Sequence, residues 1–183
     1  MPRFTQIDPA TATGDAGDLL AQVQQSLGVT PNMTKMMANS PALLKSYLVL
    51  SGALSSGVLP AAVRERLALA TAETNGCEYC LSAHTYIGAH IAKVDEQELE
   101  SARFAKSNDA HVQALLELSN AILASGGAVS DDTLAQARAG GVTDPEIGEV
   151  VGHIALNVLT NYFNVLTQVD NDWPVVTPIN ARG

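Results

Sequence analysis

The chain has 183 residues and a formal net charge of −9, with 19 Asp and Glu against 10 Lys and Arg. That balance, without a basic stripe, excludes nucleic acid or an anionic membrane as the main partner. The length suits one domain, 1–183, burying about 70% of the surface its unfolded chain would expose, so no metal or structural disulfide is needed as a staple.

Residues 1–14, with Pro2, Pro9 and Gly14, read as an extended arm. The start of the chain lacks the apolar core of a signal peptide, and no apolar run is long enough to span a bilayer, so the expected location is cytoplasmic. A first helix is predicted over 15–27 and stops at Gly28. Pro31 opens a short second helix, since proline fits the first helical turn. Ser40-Pro41 starts a third, where Leu43, Leu44, Tyr47, Leu48 and Leu50 make an apolar stripe. Pro60 opens a fourth that carries Glu65 and ends at Asn75-Gly76, a sequence suited to a left-handed stop.

The fifth helix starts at Cys77 and runs towards Ile91. Asp95 with Glu98 resembles a capping box for a short sixth. A seventh is predicted over 111–123, closed by Gly126-Gly127. An eighth begins at Ser130-Asp131 and ends at Gly140-Gly141. Thr143-Asp144-Pro145-Glu146 joins a cap, a first-turn proline and an acidic first turn. The helix it opens is apolar nearly all round and belongs in a core or a subunit interface. Residues 170–183, with Pro174 and Pro178, read as an irregular tail. No segment reads convincingly as a strand, so the fold class is all-α with eight or nine helices.

The chemistry concentrates in Cys77-Glu78-Tyr79-Cys80-Leu81-Ser82-Ala83-His84, which holds both cysteines of the chain. Helical positions three and four apart share a face, so Cys77 neighbours Cys80 and His84 lies one turn further on. A helix N-terminus favours a thiolate at Cys77, and His84 can take the Cys80 proton. A second thiol can trap an oxidised first one as a disulfide. Glu65 can orient His84 if the Gly76 turn folds the fourth helix back against the fifth; Glu73 is a competing carboxylate, and a solvated helix face is the ordinary fate of either. Two alternatives compete with a redox dithiol: inert core cysteines, or a zinc site using Cys77, Cys80, His84 and Glu65. A thioredoxin-like fold is rejected, because the segment before the cysteines reads as helix and not strand. Of the other histidines, His90 is expected to turn away and His111 carries no clear signal. His153 reads as a hydrogen-bonded structural histidine in the most apolar helix. Asn161 and Tyr162 suit either a pocket or a subunit contact.

The pattern Glu65-x11-Cys77-x2-Cys80-x3-His84 resembles the signature of the AhpD-like alkylhydroperoxidases, within the carboxymuconolactone decarboxylase superfamily. Segments 27–32, 38–44 and 156–164 are similar to its peroxidase-related branch, and the likeness covers about 15–175. The resemblance implies an all-helical homotrimer or homohexamer, with no cofactor and no metal. It implies a peroxidase for organic hydroperoxides in which Cys80 attacks, Cys77 resolves, and His84 and Glu65 relay protons. An unidentified thiol protein would serve as reductant. The best-studied form of the motif has histidine directly before the second cysteine, where this chain has Tyr79. Rival readings are a lactone decarboxylase, which works without a dithiol, and a redox-sensing or zinc-stabilised binding module without catalysis.

Overall fold

Turn chemistry sets the helix boundaries. The computed structural model describes residues 2–179 and contains, among them, nine helices and no strand. These are α1 (Gly14–Leu27), α2 (Asn32–Met37), α3 (Pro41–Ser55), α4 (Ala61–Asn75), α5 (Glu78–His90), α6 (Glu96–Ala102), α7 (Ala110–Ser125), α8 (Asp131–Ala139) and α9 (Asp144–Thr167). The fold is all-α, as predicted. Met1 and 180–183, the ends of the predicted arm and tail, lie outside the described residues. No helix among the described residues is long and apolar enough to cross a membrane.

Side-chain caps satisfy the backbone N–H groups that the first turn of a helix leaves without partners. Ser40 accepts from Leu43 N, Asp109 from His111 N and Val112 N, and Ser130 from Thr133 N. The box opening α9 is complete, with Thr143 and Glu146 bonded reciprocally. The box expected at Asp95 is not. Asp95 caps Gln97 N, but Glu98 turns instead to Arg66 at 3.0 Å, Ser107 Oγ at 2.6 Å and Asn108 N at 2.9 Å. A guanidinium and a loop N–H outbid the helix's own N-terminus for that carboxylate.

Helix α4 is the hub, packing against α5, α6, α7 and α9. Its Leu67 and Leu69 are buried with Leu81 of α5 and Leu115, Leu116 and Leu118 of α7. Each such side chain contributes about 1.5–3 kcal/mol by leaving water. The turn from α4 to α5 is a single left-handed residue, Gly76 at φ 66°, where a Cβ would meet its own backbone. It reverses the chain so tightly that Cys77 N–H bonds Ala72 O at 3.0 Å and Cys77 becomes the N-cap of α5.

The arm before α1 is pinned through Arg3 N–H to Thr167 O and Asn39 Nδ2 to Thr5 O. The tail after α9 lacks helix, as expected, yet it is tied along α5. Asn171 Nδ2 and Val176 N–H both donate to Ser82 Oγ, and Ile179 N–H reaches the buried Glu73.

Helix α9 departs from its sequence pattern. Its buried face is largely polar, with His153, Asn157, Thr160, Asn161, Asn164 and Thr167 inside. Tyr162, Val165 and Leu166 are more than half exposed or close to it on the outer face. Asn161 and Tyr162 therefore part company: Asn161 accepts from Asn75 Nδ2 at 3.0 Å, and Tyr162 points outward.

His111 joins α7 to the start of α9 through Gly140 O at 3.1 Å and Glu146 at 2.8 Å. The Glu146 hydrogen bond, then the Gly140 carbonyl, raise its pKa above the ordinary 6.5. The folded state then holds the proton more tightly, so this stabilisation is full below 6.5 and lost as pH rises through the folded-state value. Urea unfolding at pH 5.5 and pH 8 is expected to show a smaller loss of stability across that interval in His111→Gln than in the parent chain.

Candidate active site

The site grows from the start of α5. Cys77, in extended conformation at the N-cap, accepts from Cys80 N–H at 3.3 Å and is bonded to Cys80 as a disulfide, with Cα atoms 5.3 Å apart. Both cysteines are almost completely buried. Unpaired N–H groups at a helix start favour negative charge, so the reduced pair sits where a thiolate gains most.

Glu65 and His84, 19 residues apart in sequence, meet across the α4–α5 hairpin with His84 Nδ1 2.7 Å from Glu65 Oε2. Glu73 lies elsewhere. It is paired with Arg103 at 2.8 Å and holds the tail, so of the two candidate carboxylates it is Glu65 that reaches the histidine. His90 lines a separate cavity with Tyr86 and Pro174, away from the dithiol.

Tyr79 occupies the position directly before Cys80, and its hydroxyl donates to Asp172 Oδ2 at 2.7 Å. Burial, reinforced by the Asp172 hydrogen bond and charge, pushes its pKa far above the usual phenol range. Its proton is held by the tail and is not available for relay at neutral pH. Asp172 also accepts from Asn32 N–H at 2.9 Å, so this one carboxylate ties the tail to both α2 and α5.

A cavity of about 330 Å³ opens beside Cys80 and His84, bounded by α3, α4, α5, α9 and the tail. Its walls are mostly apolar or aromatic, with Tyr47, Tyr79 and Trp173 among them. Burial and the nearby Glu65 charge raise the Tyr47 pKa. Asn164 approaches from α9, its Nδ2 3.3 Å from both Cys80 Sγ and Met33 Sδ.

Sequence reasoning named the dithiol, Glu65 and His84 but passed over Asn164, Tyr47 and Trp173. A readable signal existed for the first: Asn157, Asn161 and Asn164 recur at helical spacing inside an otherwise apolar helix. His153 requires correction. It is buried as expected, yet its Nε2 finds no hydrogen-bond partner and it lines the cavity. The apolar run around it is what concealed this, because periodicity does not tell which face turns inward.

Residues 41–124, which contain Glu65, both cysteines and His84, match the carboxymuconolactone decarboxylase family model. The chain resembles that family over 84 of its 183 residues. Its fold is similar to that of a peroxidase-related protein with an alkylhydroperoxidase AhpD core from Ralstonia eutropha, at TM-score 0.83 and 21% identity over 93% of this chain and 92% of that one. A peroxidase-related protein from a Silicibacter species follows at TM-score 0.78 and 20% identity, covering 100% of this chain and 95% of the other. The debrominase Bmp8 has the same fold at TM-score 0.71 and 19% identity, over 86% of each chain. No curated protein sequence matches the chain.

Asn164 Nδ2 is a polar contact of the Cys80 sulfur. A hydrogen bond to a charged group is worth about 1.5–3 kcal/mol, or roughly one to two pH units of thiol acidity. In the reduced protein, Asn164→Leu is expected to raise the apparent pKa of the dithiol by about one unit. Thiolate absorbance near ~240 nm across a pH titration would read that shift.

Proposed function

We propose that this chain is a thiol-dependent peroxidase that reduces organic hydroperoxides through a Cys77–Cys80 dithiol/disulfide cycle. The observation that carries the reading is a buried disulfide at a helix N-terminus, beside an apolar cavity that the Glu65–His84 pair also faces.

In the first step the Cys80 thiolate attacks the distal oxygen of the hydroperoxide. An S–O bond forms, the O–O bond breaks, and the departing alkoxide takes a proton from His84, leaving an alcohol and a sulfenic acid. Glu65 fixes the His84 ring through Nδ1, so Nε2 carries the exchanged proton. In the second step Cys77 attacks the oxidised sulfur, forming the disulfide and releasing water. A dithiol reductant protein then returns two electrons and two protons, restoring both thiols. Cys80 lines the cavity and lies against Asn164, which supports its role as the sulfur that meets the hydroperoxide.

The outer face of α9, with Tyr162, Val165 and Leu166, supports assembly of a homotrimer or homohexamer by burying that apolar surface. A reducing cytoplasm is the proposed location, since the cycle requires regeneration of free thiols.

The aromatic cavity walls favour one second reading. A dithiol can also replace a carbon–halogen bond of a planar aromatic by carbon–hydrogen, giving halide and the same disulfide. The structurally similar debrominase has been captured with 2,3,4-tribromopyrrole. Bromide release from that compound by the reduced chain, without oxidation by hydroperoxide, would favour this reading.

Rapid mixing of reduced protein with one equivalent of cumene hydroperoxide is expected to consume both thiols. Cys80→Ser should leave only the slow rate of an ordinary thiol. Cys77→Ser should react once and stop at a sulfenic acid that dimedone traps. His84→Asn should slow the first step by about 100-fold, at the lower end of general-acid contributions. Equal first-turnover rates for the parent chain and Cys80→Ser would overturn the proposal.

A further inference from the structure

The cavity has two chemically different ends. One end is the reacting centre, where Asn164 touches Cys80. The other holds His153, eleven residues earlier on the same helix and about 16 Å along its axis, yet close enough to Glu65 and His84 for their charges to act on it. Between them the lining mixes Asn157 and Thr160 of α9 with the apolar Leu156, Ala68 and Ile87.

His153 is 5% exposed, and its Nε2 is buried without a partner. An imidazole nitrogen in that condition lacks the hydrogen bond that buried polar atoms ordinarily make. Burial, then the nearby Arg64 charge, lower the His153 pKa, so the ring is neutral and offers one N–H. Arg64 lines the same cavity. One of its N–H groups bonds Leu59 O at 2.8 Å, and it forms no ion pair among the described residues.

The neighbouring carboxylates are already engaged. Glu65 is bonded to His84, and Glu149 accepts from Val58 N–H at 2.6 Å and Leu59 N–H at 2.9 Å. What remains at this end is a guanidinium with uncommitted donors beside a neutral imidazole. Such a pair has a use for an acceptor oxygen supplied from outside.

We propose that the cavity takes an extended hydroperoxide whose far end carries an acceptor oxygen, carboxylate or carbonyl, bound by Arg64 and His153 while the peroxide meets Cys80. This rests on the peroxidase reading for the reaction at Cys80, but the recognition site stands on its own geometry. His153 and Arg64 then act as positioning residues, holding the substrate along the cavity without touching the reacting atoms. Leu156, Ala68 and Ile87 face an apolar chain along the cavity, and the Arg64–His153 end selects for oxygen.

Three matched probes test it: 10-hydroperoxydecanoate, its methyl ester and decyl hydroperoxide. With the reduced chain, the concentration giving half-maximal thiol oxidation is expected to be at least about tenfold lower for the acid or the ester than for decyl hydroperoxide, one charge-assisted hydrogen bond's worth. Preference for the acid alone would assign a carboxylate; preference shared with the ester would assign a carbonyl. In His153→Leu and Arg64→Met that ratio should fall towards one, and His153→Gln, which keeps an N–H donor, should restore part of it. Equal values for all three probes with the parent chain would overturn the proposal, as would a ratio unchanged in both variants.

Binding is measured separately on the disulfide form with 10-hydroxydecanoate and decan-1-ol, which cannot oxidise a thiol. The emission of Trp173, the sole tryptophan, reports occupancy of the cavity it lines. Tighter binding of the hydroxy acid with no thiol oxidation by any probe would sustain this site and sink the peroxidase reading. Thiol oxidation with no discrimination between the probes would do the reverse.

Discussion

The site depends on one backbone residue in a left-handed conformation. Gly76, at φ 66°, lets α4 reverse into α5 with no intervening loop. Three consequences come from that reversal. It lays α5 antiparallel on α4, so Glu65 and His84 come to 2.7 Å. It makes Cys77 the N-cap of α5, where its sulfur accepts from Cys80 N–H. It also leaves Glu73, two turns further along α4, bonded to Arg103 and the tail instead of to the histidine. A longer connection would relax all three, because each needs a fixed axial register between the two helices.

The second constraint is the inverted polarity of α9. Burying Asn, Thr and His side chains costs several kcal/mol each unless they are bonded, and most of these are bonded locally. Asn157 Nδ2 donates to His153 O, Thr160 Oγ1 to Asn157 O and Thr167 Oγ1 to Phe163 O. Asn161 takes a bond from Asn75 on α4. The atoms left over include Asn164 Oδ1 and His153 Nε2, and both residues face the cavity. A helix with this arrangement is poorly optimised for stability alone. Its apolar outer residues and polar inner ones make sense together if the inside serves a ligand and the outside another copy of the chain.

The sequence was legible wherever one helical turn decides the outcome. The order of the helices, the caps at Ser40, Ser130 and Thr143, and the stop at Gly76 all follow from local rules, and all are observed. The spacing of Glu65, the cysteines and His84 was readable because a tight hairpin makes sequence distance into spatial distance. Contacts set by tertiary competition were not readable. Glu98 abandons its capping box for Arg66 and a loop, a choice no local pattern encodes. Asn164 and Trp173 reach the cavity from 84 residues beyond Cys80 and from the irregular tail. The 3.6-residue period groups residues onto faces, but it leaves open which face of an apolar helix turns inward.

Tyr79 shows how the tail enters the chemistry. A histidine in that place could exchange protons with either thiol near neutral pH. A tyrosine whose hydroxyl is committed to Asp172, and whose pKa lies far above the usual phenol range, cannot. In the proposed cycle, proton transfer at the dithiol is therefore assigned to the Glu65–His84 pair. What Tyr79 does instead is mechanical. Through Asp172 it anchors the segment that carries Trp173, and the same carboxylate caps Asn32 N–H at the start of α2. Tyr79 thus helps build the cavity wall beside Cys80. The exchange of a titratable ring for a tether trades a second proton carrier for a more enclosed, more apolar approach to Cys80, and that suits a substrate recognised along its length.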